Sequence, residues 1–248
     1  MGAHVSYQPV CASTDRLLIE RLRYEALPEG TVVITDHQYD GRGKGGSIWH
    51  APPGQNLTFS LVLYPDASWP NMPIALGMCV AMAIRAHIAL CLTHSLTVKW
   101  PNDLYCDHYK IGGIIVHRLS QTQRAGAAVV GIGINVNQME FDNPHWTSMA
   151  LASGRKFSLL ILFTELLQVL ETYYISLKKT SFEDLKHRYT QCLYGLYVPH
   201  VFETNQKRFR GIITGLDAEG RLLVQNDSGN TTSYHTGQIK LVQSSVQS

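Results

Sequence analysis

Thr31-Val32-Val33-Ile34-Thr35-Asp36-His37-Gln38-Tyr39-Asp40-Gly41-Arg42-Gly43-Lys44-Gly45-Gly46-Ser47-Ile48-Trp49 opens on a β-branched run and ends in a loop with four glycines, two cations and a closing tryptophan. Thr31 to Thr35 predicts a buried strand, because β-branched side chains suit a pleated surface. That strand delivers Asp36 to Asp40 into the loop. Glycine permits positive φ and close backbone approach, so successive N–H groups can line a concavity for an anion, with Arg42 and Lys44 supplying formal charge. The loop is not a Walker phosphate loop, and it is not G-x-G-x-x-G opening a helix. Taken alone, it also reads as a glycine-rich surface turn.

Working outward, Asn56 to Tyr64 alternates large apolar with smaller or polar residues until Pro65, which predicts a second strand hairpin-paired with the first. Upstream, Ser13-Thr14-Asp15 caps a helix running to about Ala26, and Pro28-Glu29-Gly30 breaks it. Downstream, Pro73 to Leu92 is apolar almost all round, so it predicts a helix packed deep against the sheet. Leu96 to Trp100 predicts a strand that Pro101 ends, leaving Asn102 and Asp103 at its exit. Leu104 to Cys106, a turn near Asp107-His108, and Lys110 to Val116 read as a hairpin, and Ala127 to Val136 as another core strand. Gly112, Gly113, Gly131 and Gly133 leave room beside these strands, either for a flat ligand lying on the sheet or for bulges and close strand packing.

Leu159 to Leu177 is amphipathic, and Ser181-Phe182-Glu183-Asp184 caps a helix to about Cys192. After Gly195 the texture changes. Val198 to Val242 is a series of short strands separated by polar turns, spaced as in a small barrel, and a domain boundary is placed near Tyr194. The last residues, 243–248, form a polar tail expected to fray.

With 248 residues, 45% of them hydrophobic, the chain can bury a sizeable core. Its 21 basic and 19 acidic side chains nearly cancel, so no general field for DNA or another polyanion is expected. The five cysteines are odd in number and lack a C-x-x-C pair, which points to reduced thiols and a cytoplasmic setting. Met1 to Val10 does not read as a signal peptide. Arg85 and His87 interrupt the longest apolar stretch, which reads as a core helix rather than a membrane span. The histidines show no zinc-ligand spacing.

Four elements converge: the glycine loop with Trp49, Lys99-Trp100-Pro101-Asn102-Asp103, Lys110-Ile111-Gly112-Gly113, and Gly131-Ile132-Gly133-Ile134-Asn135-Val136-Asn137. In this order and spacing the chain resembles the biotin–protein ligases across roughly Val5 to Val242. Only about a dozen residues precede Ser13, where repressor members of that family have a helix-turn-helix domain, so the resemblance is to a form without a DNA-binding head. It implies an α+β, class II synthetase-like catalytic domain over 1–194, with a mixed, mostly antiparallel sheet and helices on one side, then an SH3-like barrel over 195–248. It also implies the reaction. Biotin carboxylate attacks the α-phosphate of ATP, with Mg²⁺, to give biotinyl-5′-AMP, and a lysine of a biotin carboxyl carrier domain of an acyl-CoA carboxylase then takes the biotin. A monomer or a homodimer is compatible with either step.

By the same resemblance, Lys110, Arg42 and Asp103 are the catalytic residues, with Asp103 a candidate Mg²⁺ ligand. Ser13, Thr14, Asp15, Gln38, Gly41, Arg42, Gly43, Lys44, Lys110, Gly113 and Gly131 would surround biotin, and Arg42, Lys44, Trp49, Asn102 and Asn135 the nucleotide. A buried ureido ring demands hydrogen-bond partners, and cations stabilise charge at the reacting oxygens. There are departures. Asp15 stands where asparagine is usual, which removes an amide donor and adds charge. Gly45 and Ser47 stand where relatives often carry cations, and His117, at a position commonly acidic, is assigned no role. A lipoate–protein ligase of the same fold and an inactive module that binds biotin or a carrier are the rival readings.

Overall fold

The computed structural model describes residues 1–46, 48–65, 71–120, 126–205 and 207–242. Ser47 and the tail at 243–248 lie outside the described residues, and so does the side chain of Lys44. The β-branched run becomes β2 (Val32–Gln38) and pairs antiparallel with β3 (Leu57–Leu63), so the glycine loop joins two neighbouring strands. Ahead of them lie β1 (Val5–Cys11) and α1 (Thr14–Tyr24), and behind them α2 (Met72–Ala89), β4 (Leu96–Lys99), β5 (Asp103–Cys106), β6 (Tyr109–Arg118) and β7 (Ala128–Ile134). These strands form one seven-stranded sheet in the order β1-β2-β3-β7-β6-β5-β4. Only the β1–β2 ladder is parallel. It is made possible by α1, which carries the chain back between the two strands.

Alternation along β3 and β7 divides the core. Leu57, Phe59, Leu61 and Leu63 join Val130 and Ile132 in a cluster with α2 and the later helices, whereas Val62 and Val129 pack with Leu18 and Leu22 of α1. Neighbouring residues of a strand face opposite sides of a sheet, so α1 covers one end of the face that the other helices leave open. On the helical face, α2 is apolar almost all round and buries twelve of its residues, as a core helix does. Helix α4 (Leu159–Leu177) packs on α2 and sets Phe163 edge-on to Phe59 at 5.2 Å, and α5 (Phe182–Thr190) completes the layer. Each fully buried leucine or phenylalanine here contributes about 1.5–3 kcal/mol relative to exposure.

Two elements go beyond the sequence expectations: the edge strand β1 and a single-turn helix, α3 (Met149–Ser153), capped by Ser148 and closed by Gly154 at φ 71°. The C-terminal segment forms β8 (Pro199–Glu203), β9 (Arg208–Leu216), β10 (Leu222–Asn226), β11 (Thr231–Tyr234) and β12 (Lys240–Leu241), a five-stranded antiparallel sheet in the order β11-β10-β9-β8-β12. It is joined tightly to the first unit. The connecting residues are pinned on both sides, Leu193 by a bridge to Val98 of β4 and Leu196 by one to Ile213 of β9, and the main core cluster runs on into Phe202, Ile213, Leu222 and Val224. Trp100 Nε1 donates to Gly220 O at 3.2 Å and Asn71 Nδ2 to Glu219 O at 2.8 Å.

Candidate active site

The open face of the sheet carries the site, and strand register explains which residues meet there. Thr58, Gly133, Gly113 and Asp103 lie in one row across β3, β7, β6 and β5, and Ser60, Gly131 and Ile115 lie in the next. Because the side-chain period of a strand is two, both rows face the same way. Thr14, Asp15 and Gln38 close one end of this cavity, Lys110, Asn102 and Asp103 the other, and Arg42, Gly43, Ile48, Trp49 and Trp146 cover it.

Lys110 Nζ lies 2.7 Å from Asp103 Oδ1, with both side chains partly exposed, and 5.9 Å from the centre of the Trp146 ring. Its backbone is fixed too, since Lys110 N donates to His145 O and Lys110 O accepts from Thr147 N. The lysine is therefore an oriented cation at the cavity wall. Trp146 stacks on Trp49 with ring centres 6.2 Å apart, forming an aromatic lid.

The lid is held by the glycine loop. Trp49 N donates to Gly41 O at 3.0 Å and Arg42 bridges to Ile48, while Gly45 and Gly46 turn the chain at φ 67° and 83°. Upstream, Tyr39 N and Asp40 N donate to Cys11 O and Ala12 O, which fastens the loop to the end of β1. Asp40 accepts from Arg16 Nη1 at 2.6 Å and from Arg42 Nε at 2.9 Å, and the Arg16 hydrogen bond holds its carboxyl below the ordinary range. Gly41 has no room for a side chain, since a Cβ there would meet the Gln38 amide and, at 2.7 Å, Trp49 O.

At the other end a chain of polar contacts runs through buried groups. Gln38 Oε1 accepts from Thr14 N at 2.9 Å and from Thr14 Oγ1 at 3.3 Å, Thr14 Oγ1 lies 2.6 Å from Ser60 Oγ, and Ser60 donates to Asp15 Oδ1. His117 Nε2 stands 3.2 Å from Asp15 Oδ2. Ser13 is buried as the cap of α1, accepting from Arg16 N, and does not line the cavity.

The glycines correct the picture of a flat ligand lying on bare backbone. The space above Gly131 is filled by the Asp15 carboxyl and that above Gly133 by the Trp49 indole, so these glycines make room for side chains of the site itself. Gly113 lies beside Asp103 and Lys110, whereas Gly112 faces the core, where a Cβ would meet Gly133 O at 2.8 Å and the Leu104 side chain at 3.2 Å. Asn102 lines the cavity with its amide donating to Ile114 O. Asn135, expected against the nucleotide, is fully buried beneath the lid: its Nδ2 donates to Thr147 O at 3.0 Å and its Oδ1 finds no partner among the described residues. The Trp49 Nε1 donor is also buried and unpartnered among them. Lys99 donates to Tyr105 OH, and burial lowers its ammonium pKa, an effect that Asp103 partly opposes.

A model of the biotin/lipoate A/B protein ligase family matches residues 7–135, and one of the biotin protein ligase C terminal domain matches residues 201–242. The chain belongs to the biotin/lipoate A/B protein ligase family. Among curated relatives of this ligase, the bifunctional ligase/repressor BirA of Bacillus spizizenii is 32% identical, over 94% of this chain and 73% of that protein. BirA of Escherichia coli is 28% identical over 97% and 74%. The biotin protein ligase of Aquifex aeolicus, solved with biotin and ATP, superposes with a TM-score of 0.79 at 23% identity, covering 98% of this chain and all of that one, and so supports the fold. Three residues at this cavity were given no role from the sequence: Ser60, Trp146 and His117. Ser60 sits in an ordinary strand alternation, and His117 is one of eleven scattered histidines. Trp146, an aromatic in a polar segment after Pro144, was the only one with a visible clue.

Proposed function

We infer that this chain is an ATP-dependent biotin–protein ligase whose chemistry takes place in the cavity between the Thr14–Asp15–Gln38 end and the Lys110–Asp103 pair. The observation that carries the reading is an oriented lysine, paired with Asp103 and set beside an aromatic lid, in the same cavity as a hydrogen-bonding end. Biotin lies with its ureido ring at the polar end, where Thr14, Asp15 and Gln38 offer donors and acceptors, and its carboxylate at Lys110. That carboxylate oxygen attacks the α-phosphorus of ATP, the new O–P bond forms and pyrophosphate leaves. Lys110 and Arg42 stabilise the charge on the oxygens around the reacting phosphorus, and Asp103 holds Lys110 in place.

Trp49 and Trp146 cover the nucleotide, and the orphan Trp49 indole N–H is a donor ready for it. In the second step an uncharged lysine amine of the carrier attacks the acyl carbon; the C–N bond forms, AMP leaves with the bond electrons, and the amine proton passes to solvent or AMP. Asp103 offers a hard oxygen donor that suits Mg²⁺, which needs few protein ligands beside triphosphate and water and would neutralise phosphate charge there. The proposed partner is the biotin carboxyl carrier domain of an acyl-CoA carboxylase, and the proposed domain division is 1–194 and 195–248.

A lipoate ligase shares the family and the adenylate logic. A dithiolane ring has no N–H or C=O, so it offers no hydrogen-bond partner to the Thr14, Asp15 and Gln38 groups that line the cavity, and a site built to hydrogen-bond its ligand discriminates against one that cannot. An inactive binding module has no need of a paired Lys110 and Asp103. Incubating the protein with a purified carrier domain, Mg²⁺-ATP and either biotin or lipoate, then mapping the carrier by mass spectrometry, tests the reading. Biotin on the carrier lysine is expected; lipoylation, or no modification with either acid, would overturn it.

A further inference from the structure

At the polar end of the cavity a carboxylate, not an amide, faces the space for the ring. Asp15 has a side chain only 14% exposed, accepts from Ser60 through Oδ1 and has His117 Nε2 at 3.2 Å from Oδ2. Its carboxyl also fills the space left by Gly131, where a Cβ would come within 2.7 Å of Oδ2. It is thus held from three strands: β3 through Ser60, β6 through His117 and β7 through the absent side chain at 131. A largely buried carboxylate held at both oxygens keeps lone pairs in set directions, and this one lines the cavity. A group that only accepts can be satisfied there only by donors.

We propose that the Asp15–His117 pair is the specificity element of the ring-binding end, with His117 a positioning residue, and that it makes this site accept cyclic guanidinium analogues of biotin as well as the cyclic urea. The proposal rests on the biotin reading given above. A cyclic urea offers two N–H donors and one carbonyl. A cyclic guanidinium such as that of 2-iminobiotin offers the same ring N–H groups and adds a positive charge, which a carboxylate rewards and a neutral amide does not. The carbonyl of the urea becomes a donor in the guanidinium, and the Thr14 hydroxyl can turn from donating to accepting.

The test is calorimetric binding of biotin and of 2-iminobiotin to the full chain and to Asp15→Asn, His117→Gln and the double variant, with melting curves for each. Wild type is expected to bind the two ligands within about tenfold of one another, and Asp15→Asn to shift the ratio against 2-iminobiotin by at least about tenfold, since charge-assisted bonds are roughly twice as strong as neutral ones. His117→Gln should weaken biotin by about tenfold while leaving the rate at saturating biotin within about threefold, and the double variant should bind biotin within about twofold of Asp15→Asn alone, because the two side chains act as one unit. A ratio unmoved by Asp15→Asn, or a His117 effect that simply adds to it, overturns the proposal. A wild-type preference for biotin beyond about a thousandfold would do so without any variant. Wild-type protein that binds biotin but shows these results leaves the ligase reading standing; protein that binds no biotin removes both.

Discussion

Gly133→Ala separates the two halves of the site. Gly133 has an ordinary strand backbone with no positive φ, so alanine strains nothing by itself. Its new Cβ would meet the Trp49 indole, however, at 2.9 Å from Nε1 and closer still to the ring carbons Cε2 and Cζ2. The indole has to withdraw by about 1 Å to restore ordinary contact near 3.5 Å. Trp49 cannot do so alone, because its backbone is tied to Gly41 and its ring is stacked on Trp146. The displacement therefore passes into the Trp49–Trp146 lid, which is proposed to cover the nucleotide. A misplacement of about 1 Å in a positioning group costs on the order of 10²-fold in rate, or about 2.7 kcal/mol of transition-state stabilisation. The ring-binding end, one row away at Gly131 and Asp15, is untouched. Biotin-dependent pyrophosphate release, titrated with ATP, should show kcat/KM for ATP about 100-fold lower, while calorimetry finds biotin affinity within about threefold of wild type. An unchanged ATP dependence in a folded variant, or an equal loss of biotin affinity, would refute the assignment of Trp49 to the nucleotide half.

Three further outcomes are expected. Lys110→Ala should slow adenylation by at least about 3 kcal/mol, the scale of one lost electrostatic donor, and a rate of pyrophosphate release within about fivefold of wild type would remove Lys110 from the mechanism. Gly220→Ala places a side chain at φ 80° and its Cβ 2.9 Å from Ile74 on α2, so thermal melts should reveal a loss of about 1–3 kcal/mol, and an unshifted melting temperature would show that the C-terminal sheet does not bear on α2 there. Burial lowers the imidazoles of His87 and His200 below the ordinary 6.5, so the unfolded chain takes up protons first. Their contribution is complete above that value and is lost as pH falls from about 6.5 toward the lowered folded values, so the melting temperature should drop between about pH 7.5 and pH 5, and His87→Leu should flatten the drop by about 2 °C or more.

Much of the fold is legible because the strands that build the floor are strongly patterned. Thr31 to Thr35, Asn56 to Tyr64 and Ala127 to Val136 read as strands, and β2, β3 and β7 form there. Pro73 to Leu92 reads as a core helix because it is apolar almost all round, and α2 buries twelve of its residues. β1 escaped because Gln8 and Pro9 interrupt it and, as an edge strand, it buries little: Tyr7 and Val10 are exposed. The site was legible where a residue's chemistry is unusual for its setting, as with Lys110 after a hairpin turn or Arg42 among glycines. It was not legible where register creates the meaning. Ser60 and His117 matter because β3 and β6 set them opposite Asp15, three segments whose meeting is a property of the sheet. Asn135, read as a nucleotide contact, is fully buried, and its amide ties Thr147, the residue after Trp146, a link that only the folded chain displays.

Isotope exchange between pyrophosphate and ATP measures the reversible first step alone, with no carrier protein needed. With the full chain and Mg²⁺, exchange should depend on added biotin, fail with lipoate and be abolished by Lys110→Ala. Exchange supported by lipoate but not biotin, or equal in the Lys110→Ala protein, would contradict the claim that this cavity activates biotin through Lys110.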